Sequence, residues 1–104
     1  MEFTPKEIED YCKQFSTEES KILLDLSKKT WESEESPQMI SGSLIGGLLQ
    51  MLIKISGSKN ILEIGMFTGY SALKMAEVLP EDGKIHTCEL NPEYIKTAKK
   101  WFEK

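Results

Sequence analysis

Asn60-Ile61-Leu62-Glu63-Ile64-Gly65-Met66-Phe67-Thr68-Gly69-Tyr70-Ser71 decides the fold of this chain. The apolar run up to Ile64 has the length of a buried strand, and Gly65 ends it. From Ser71 to Leu79 the apolar residues return at helical spacing, with Leu73, Ala76 and Leu79 expected to turn inward. A strand that passes through a glycine loop into a helix brings loop backbone and helix N-terminus to one place. Gly65 has no side chain, so a ligand can approach its backbone; Gly69 allows close packing or positive φ where the helix begins. The first amides of a helix lack intrahelical partners and carry partial positive charge, which suits an anionic group.

Downstream, Pro80-Glu81-Asp82-Gly83 has the composition of a turn, and Lys84 to Leu90 predicts a second strand. Asn91-Pro92-Glu93 then opens a last helix with a cap, a proline at the first position and an acid in the first turn. Ile95, Ala98 and Phe102 fall on one face of it. Strand, helix, strand, helix implies a parallel α/β unit. Glu89, 24 residues after Gly65, ends the second strand. A carboxylate there can accept hydrogen bonds from the paired hydroxyls of a ribose, as in nucleoside-binding α/β folds with a spacing of ~20 residues. The alternative is that the glycines only make a tight turn and Glu89 only caps the final helix.

Upstream, Leu44, Ile45, Leu48, Leu49, Leu52 and Ile55 recur at helical spacing, which predicts a helix over Ser43 to Ile55. Gly57 stands where a helix stop belongs. Ser33 to Pro37 reads as a loop, with Ser36 held out of helical geometry by the following proline. Thr4-Pro5-Lys6-Glu7 has the form of a capping box before a short helix to about Phe15. Ser16-Thr17-Glu18-Glu19 repeats that signal, and Ile22, Leu23 and Leu26 predict a second helix to about Thr30.

A chain of 104 residues with 39% hydrophobic residues supports one domain with a core. Residues 1–36 carry ten acids and five lysines, whereas residues 37–104 carry seven acids and eight lysines. An N-terminal helical segment, 1–36, is thereby set apart from a more apolar unit, 37–104. The net charge of −4 argues against nucleic acid, which needs a basic face. The apolar segment Leu44 to Ile55 is shorter than the ~20 residues that span a bilayer, so no membrane is expected. No basic region leads into an apolar stretch at the N-terminus, and two cysteines do not build a disulfide scaffold. A cytoplasmic protein is the expectation. His86 and Cys88 share one strand face while Glu89 points the other way, so a metal site is not expected there. Tyr11, Trp31, Tyr70 and Trp101 are read as packing residues. Lys96, Lys99, Lys100 and Lys104 are read as a solvated helix face.

The run Ile61 to Ser71 resembles the first motif of class I S-adenosylmethionine-dependent methyltransferases. More narrowly it resembles the caffeoyl-CoA and catechol O-methyltransferase group, in the form E-[IL]-G-x-[FY]-x-G-Y-S. Leu79 to Lys84 and Glu89-Leu90-Asn91-Pro92-Glu93 match the same group, and Met39 to Gly46 is similar to its M-x-[ST]-x-x-x-x-G segment. The resemblance implies N-terminal helices followed by the first βαβα unit of a Rossmann-like α/β methyltransferase fold, with the sheet incomplete. It implies S-adenosylmethionine as cofactor and a small hydroxylated aromatic acceptor, catechol-like or a hydroxycinnamoyl-CoA. By position, Glu63, Gly65 and Met66 would line the methionine and ribose side. Ser41 and Ser71 would hold the amino-acid end, and Glu89 the ribose hydroxyls. The divalent metal of the group, magnesium or manganese, and its catalytic residues match positions beyond Lys104, so neither is assigned here. A homo-oligomer, or the remainder of a longer chain, is the expected partner. A nucleotide-binding or interaction fragment without catalysis is the second reading. A nicotinamide-binding domain is a weaker third, because the loop is G-x-x-x-G rather than G-x-G-x-x-G. Leu44 and Ile45 stand where the group often has acids, so an apolar neighbour is expected for them.

Overall fold

A computed structural model describes residues 3–104. Helices α1 (Lys6–Gln14) and α2 (Lys21–Ser33) lead through a 3-10 turn at Pro37–Met39 into α3 (Gly42–Ser56). Strand β1 (Asn60–Ile64), α4 (Tyr70–Ala76), β2 (Lys84–Cys88) and α5 (Pro92–Phe102) follow. β1 and β2 pair in parallel, with Asn60 opposite Lys84 and Ile64 opposite Cys88. This is the expected α/β unit with a two-stranded sheet. β2 stops at Cys88 rather than Leu90, and α4 starts one residue early and closes at Ala76.

Local chemistry explains most of the boundaries. Gly57 adopts φ +65° and its N–H donates to the Ile53 carbonyl, which ends α3 where a left-handed residue costs least. Asn91 caps α5 by accepting from the Glu93 N–H through its side chain. The capping box at Thr4 does not form: Pro5 is itself the cap residue of α1, and no side chain bonds the first amides. Proline fixes the turn into the helix, so that end needs no hydroxyl cap. Likewise α2 begins after Ser20, four residues beyond the expected signal at Ser16, and runs on to Ser33.

The core lies between α2 and α4. Leu23 and Leu26 are fully buried against Tyr70, with Ile22, Ile40, Leu73 and Trp101 packed around them. Ala76, expected inside, is exposed, because Tyr70, Ala72 and Met75 set the inner face of α4. Tyr11 and Trp31, expected to pack, are exposed; Tyr11 instead meets the tilted ring of Phe15, just past the end of its helix, at 4.8 Å between ring centres.

α3 forms where its spacing predicts, one residue longer at each end, and turns most of its apolar residues outward. It meets α4 through Gly46 and buries Ile53, while Ile45, Leu48, Leu52 and Ile55 face outward. The reason is steric: a Cβ on Gly46 would lie 2.9 Å from the Lys74 Cγ, so only a glycine face lets α4 come this close. Leu44 and Ile45 border one groove with Ile8 and Cys12 of α1, the neighbour available to them. Counted with the preceding 3-10 turn, Pro37–Ser56 is 20 residues whose most apolar 18-residue window has a mean hydropathy of 1.4, long and apolar enough to cross a membrane by length and composition. The shorter span expected from Leu44 to Ile55 missed this because helical geometry begins upstream of the apolar run.

Candidate functional site

β1 delivers the chain to Gly65, whose φ of +94° is accessible to glycine with little strain. A Cβ there would meet nothing within 4 Å, so the backbone stays open to a ligand. Gly69 has φ +96° for a second reason as well: a Cβ on it would sit 2.8 Å from the Phe102 ring and 3.1 Å from Ala98 Cβ. Thus Gly65 leaves space and Gly69 fills it with α5. Between them Phe67 holds φ +52°, uncommon for a large side chain, with its buried ring edge-on to Tyr94.

Three successive loop amides are held from the far strand. The N–H groups of Gly65 and Met66 donate to the Cys88 carbonyl at 2.9 and 3.1 Å. The Phe67 N–H donates to Glu89 Oε1 at 2.8 Å. Glu89 Oε2 accepts from the N–H groups of Leu90 and Asn91 at 3.0 and 3.1 Å. These bonds, that from Phe67 foremost, stabilise the ionised carboxylate and hold its pKa below the ordinary glutamate value. A carboxylate has about four acceptor positions, so the loop and the start of α5 leave roughly one for a ligand hydroxyl.

Beneath the loop, Glu63 braces two elements. Its carboxylate accepts from the Ser71 hydroxyl and, at 2.7 Å, from the Thr87 hydroxyl. Ser71 therefore has its proton committed, and what it offers a ligand is an acceptor lone pair. The structure brings four of the six sequence-selected residues together: Ser41, Gly65, Met66 and Ser71 line one small cavity of about 30 Å³ with Met39, Ile40, Phe67, Thr68 and Tyr70. Glu63 lies behind this wall. Glu89 lies on the other side of the loop, just past the end of β2 rather than in it.

The sequence reading missed the polar contacts that tie the loop and α4 to the N-terminal segment. Thr30 and Thr68 are both buried, with their hydroxyl oxygens 3.0 Å apart. The Tyr70 hydroxyl donates to Glu19, and burial together with that carboxylate drives its pKa far up. Lys74, 4% exposed, reaches the same Glu19 carboxylate at 3.4 Å. One signal was present: Leu23, Leu26 and Thr30 share a helical stripe, so Thr30 continues the buried face.

The family model described as O-methyltransferase matches residues 13–104. Caffeoyl-CoA O-methyltransferase 2 of Petunia hybrida is 54% identical over 48 residues, 46% of this chain and 20% of that protein. Among solved structures, methyltransferase PaMTH1 of Podospora anserina, bound to S-adenosylhomocysteine, superposes with a TM-score of 0.84 at 26% identity. It covers 99% of this chain, which spans 47% of PaMTH1. The O-methyltransferase TomG of Streptomyces achromogenes, in complex with S-adenosylmethionine, gives a TM-score of 0.83 at 27% identity over 93% of this chain and 43% of its own. The chain therefore spans about a fifth of that plant relative and under half of these solved ones. With residues 13–104 of 104 inside the family match and the glycine loop at its centre, this chain belongs to the O-methyltransferase family.

Proposed function

We propose that this chain is the S-adenosylmethionine-binding part of an O-methyltransferase that methylates a hydroxyl of a small aromatic acceptor, catechol-like or a hydroxycinnamoyl-CoA. The observation that carries the reading is the cavity where the Met39–Ser41 segment meets the glycine loop. Its lining, with the Ser41 and Ser71 side chains beside loop backbone, suits the amino-acid end of the cofactor, and the open Gly65 backbone suits close approach of the remainder. Two relatives of the same fold hold this cofactor or its product, and the acceptor class follows the plant relatives.

When bound, the cofactor supplies a methyl group on a sulfonium, open to attack by an oxygen. Ser41 and Ser71 would orient its amino-acid end, Ser71 as an acceptor. Gly65 and Met66 would face it with backbone, and Glu89 would use its remaining acceptor position on a ribose hydroxyl. Glu63 would hold Ser71 in place. Transfer also needs the acceptor oxygen positioned and deprotonated. No residue of this chain is assigned to that work, nor to a magnesium or manganese ion.

Calorimetric titration tests the reading. S-Adenosylhomocysteine should bind the purified chain and NAD should not. Glu89→Ala should weaken that binding roughly ten- to a hundredfold, since hydrogen bonds to a charged group contribute about 1.5–3 kcal/mol. Equal affinity for the wild type and Glu89→Ala would remove Glu89 from the site, and no binding by the wild type would end the reading.

A further inference from the structure

The N-terminal helices contribute more than cover to the glycine loop. Thr30 sits on α2, 38 residues before Thr68, and both side chains are buried, at 2% and 1% exposure. The Thr30 hydroxyl donates to the Leu26 carbonyl at 2.8 Å. A hydroxyl has one proton, so the Thr30–Thr68 bond takes its proton from Thr68. The loop residue is thus a donor with one fixed direction, and its acceptor belongs to another helix. Both side chains are almost closed to solvent, and an unpaired buried hydroxyl is costly. Thr68 lines the same small cavity as Ser41 and Ser71 and lies between the two positive-φ residues Phe67 and Gly69. The Thr30–Thr68 bond therefore ties the middle of the loop that faces the cavity to α2.

We propose that Thr30 is a positioning residue, which acts through Thr68 to hold the Met66–Gly69 backbone in the shape that receives a ligand. Thr30 touches no ligand itself. The consequence for affinity rests on the cofactor reading above; the consequence for the free loop does not.

The test compares Thr30→Val, which keeps shape and loses the hydroxyl, with Thr30→Ser, which keeps the hydroxyl. Leu23→Ala serves as a control that weakens the same core without touching the pair. In the free chain, Thr30→Val should accelerate amide exchange at Phe67 and Gly69, with the β1–β2 ladder unchanged. Affinity for S-adenosylhomocysteine should fall about 3- to 10-fold, the worth of one neutral hydrogen bond. Thr30→Ser should restore both, and Leu23→Ala should lower the melting temperature without either change at a temperature where it is folded. Wild-type exchange at Phe67 and Gly69 in folded Thr30→Val overturns the proposal. So does an affinity loss that Leu23→Ala reproduces, or one that Thr30→Ser fails to rescue. If the wild type binds no S-adenosylhomocysteine, the cofactor reading falls and the exchange data alone decide the role of Thr30. Should Thr30→Val not fold, Thr68→Ala removes the same bond from the loop side while leaving Thr30 bonded to Leu26, and because Thr68 itself lines the cavity the amide-exchange outcome alone decides: faster exchange at Phe67 and Gly69 supports the proposal and wild-type exchange overturns it.

Discussion

The two faces of the β1–β2 sheet are built from similar residues and end in opposite conditions. Toward the helices, Ile61, Glu63, Ile85 and Thr87 are partly buried, and Glu63 is satisfied by hydroxyls from α4 and β2. On the other face Leu62 is 67% and Ile64 84% exposed, beside exposed His86 and Cys88. Parallel sheets are normally covered on both faces. Hydrophobic sequence therefore does not make an interior by itself; a neighbour does. Of the six candidate binding residues, Glu63 lies on the covered face, Gly65, Met66, Ser71 and Glu89 lie in or beside the loop, and Ser41 precedes α3; none lies on the open face.

Glycine substitutions should strain that contrast most. Gly69→Ala combines a left-handed backbone, costing about 1–2 kcal/mol, with overpacking against Phe102 and Ala98, costing about 1–3 kcal/mol. Gly65→Ala meets only the first cost. Urea denaturation should show Gly69→Ala the more damaging by at least 1 kcal/mol or so. Equal losses would mean α5 does not press on the loop. Next, Leu23→Ala in the α2–α4 core should lose about 2–5 kcal/mol. Leu48→Ala on the outer face of α3 should change stability by no more than about 0.5 kcal/mol. A comparable loss at Leu48 would show that face covered in solution.

A smaller effect concerns pH. Because the folded-state pKa of Glu89 is depressed, its contribution is fully present above the unfolded glutamate pKa of about 4.3 and is lost as pH falls through the lower folded value. Melting temperatures measured downward from pH 5 should fall less steeply in Glu89→Gln than in the wild type; parallel curves would contradict the three backbone bonds. The least change in stability is expected from Ile64→Lys, which should instead shift sedimentation toward monomer if the open sheet face pairs with a second copy. An unaltered association state in that variant would place any contact elsewhere.

Local signals carried much of this structure in the sequence itself. Gly57, Asn91-Pro92 and the Ile61–Ser71 run each act through residues a few positions away, and each element appears where they point. α3 shows the limit. Its apolar residues occur on more than one side, and the buried side was chosen by Gly46, whose importance lies in the Lys74 stem pressed against it. The polar supports of the site were hidden for the same reason. Glu19 and Lys74 are 55 positions apart, and Thr30 and Thr68 are 38 apart. Nothing local marks such pairs, because a buried polar side chain is defined by its distant partner.

The anchoring of Gly65, Met66 and Phe67 to residues 88 and 89 also sets an order of events. Strand β1 and the loop leave the ribosome well before β2, yet the loop has no partner for these three amides until β2 has docked in register. A slip of one residue in that pairing would carry Glu89 away from Phe67 and put Cys88 opposite the wrong amide. The glycine loop therefore takes its final shape only once β2 is paired in register, and a ligand that needs that shape can recognise only a sheet that has already closed correctly.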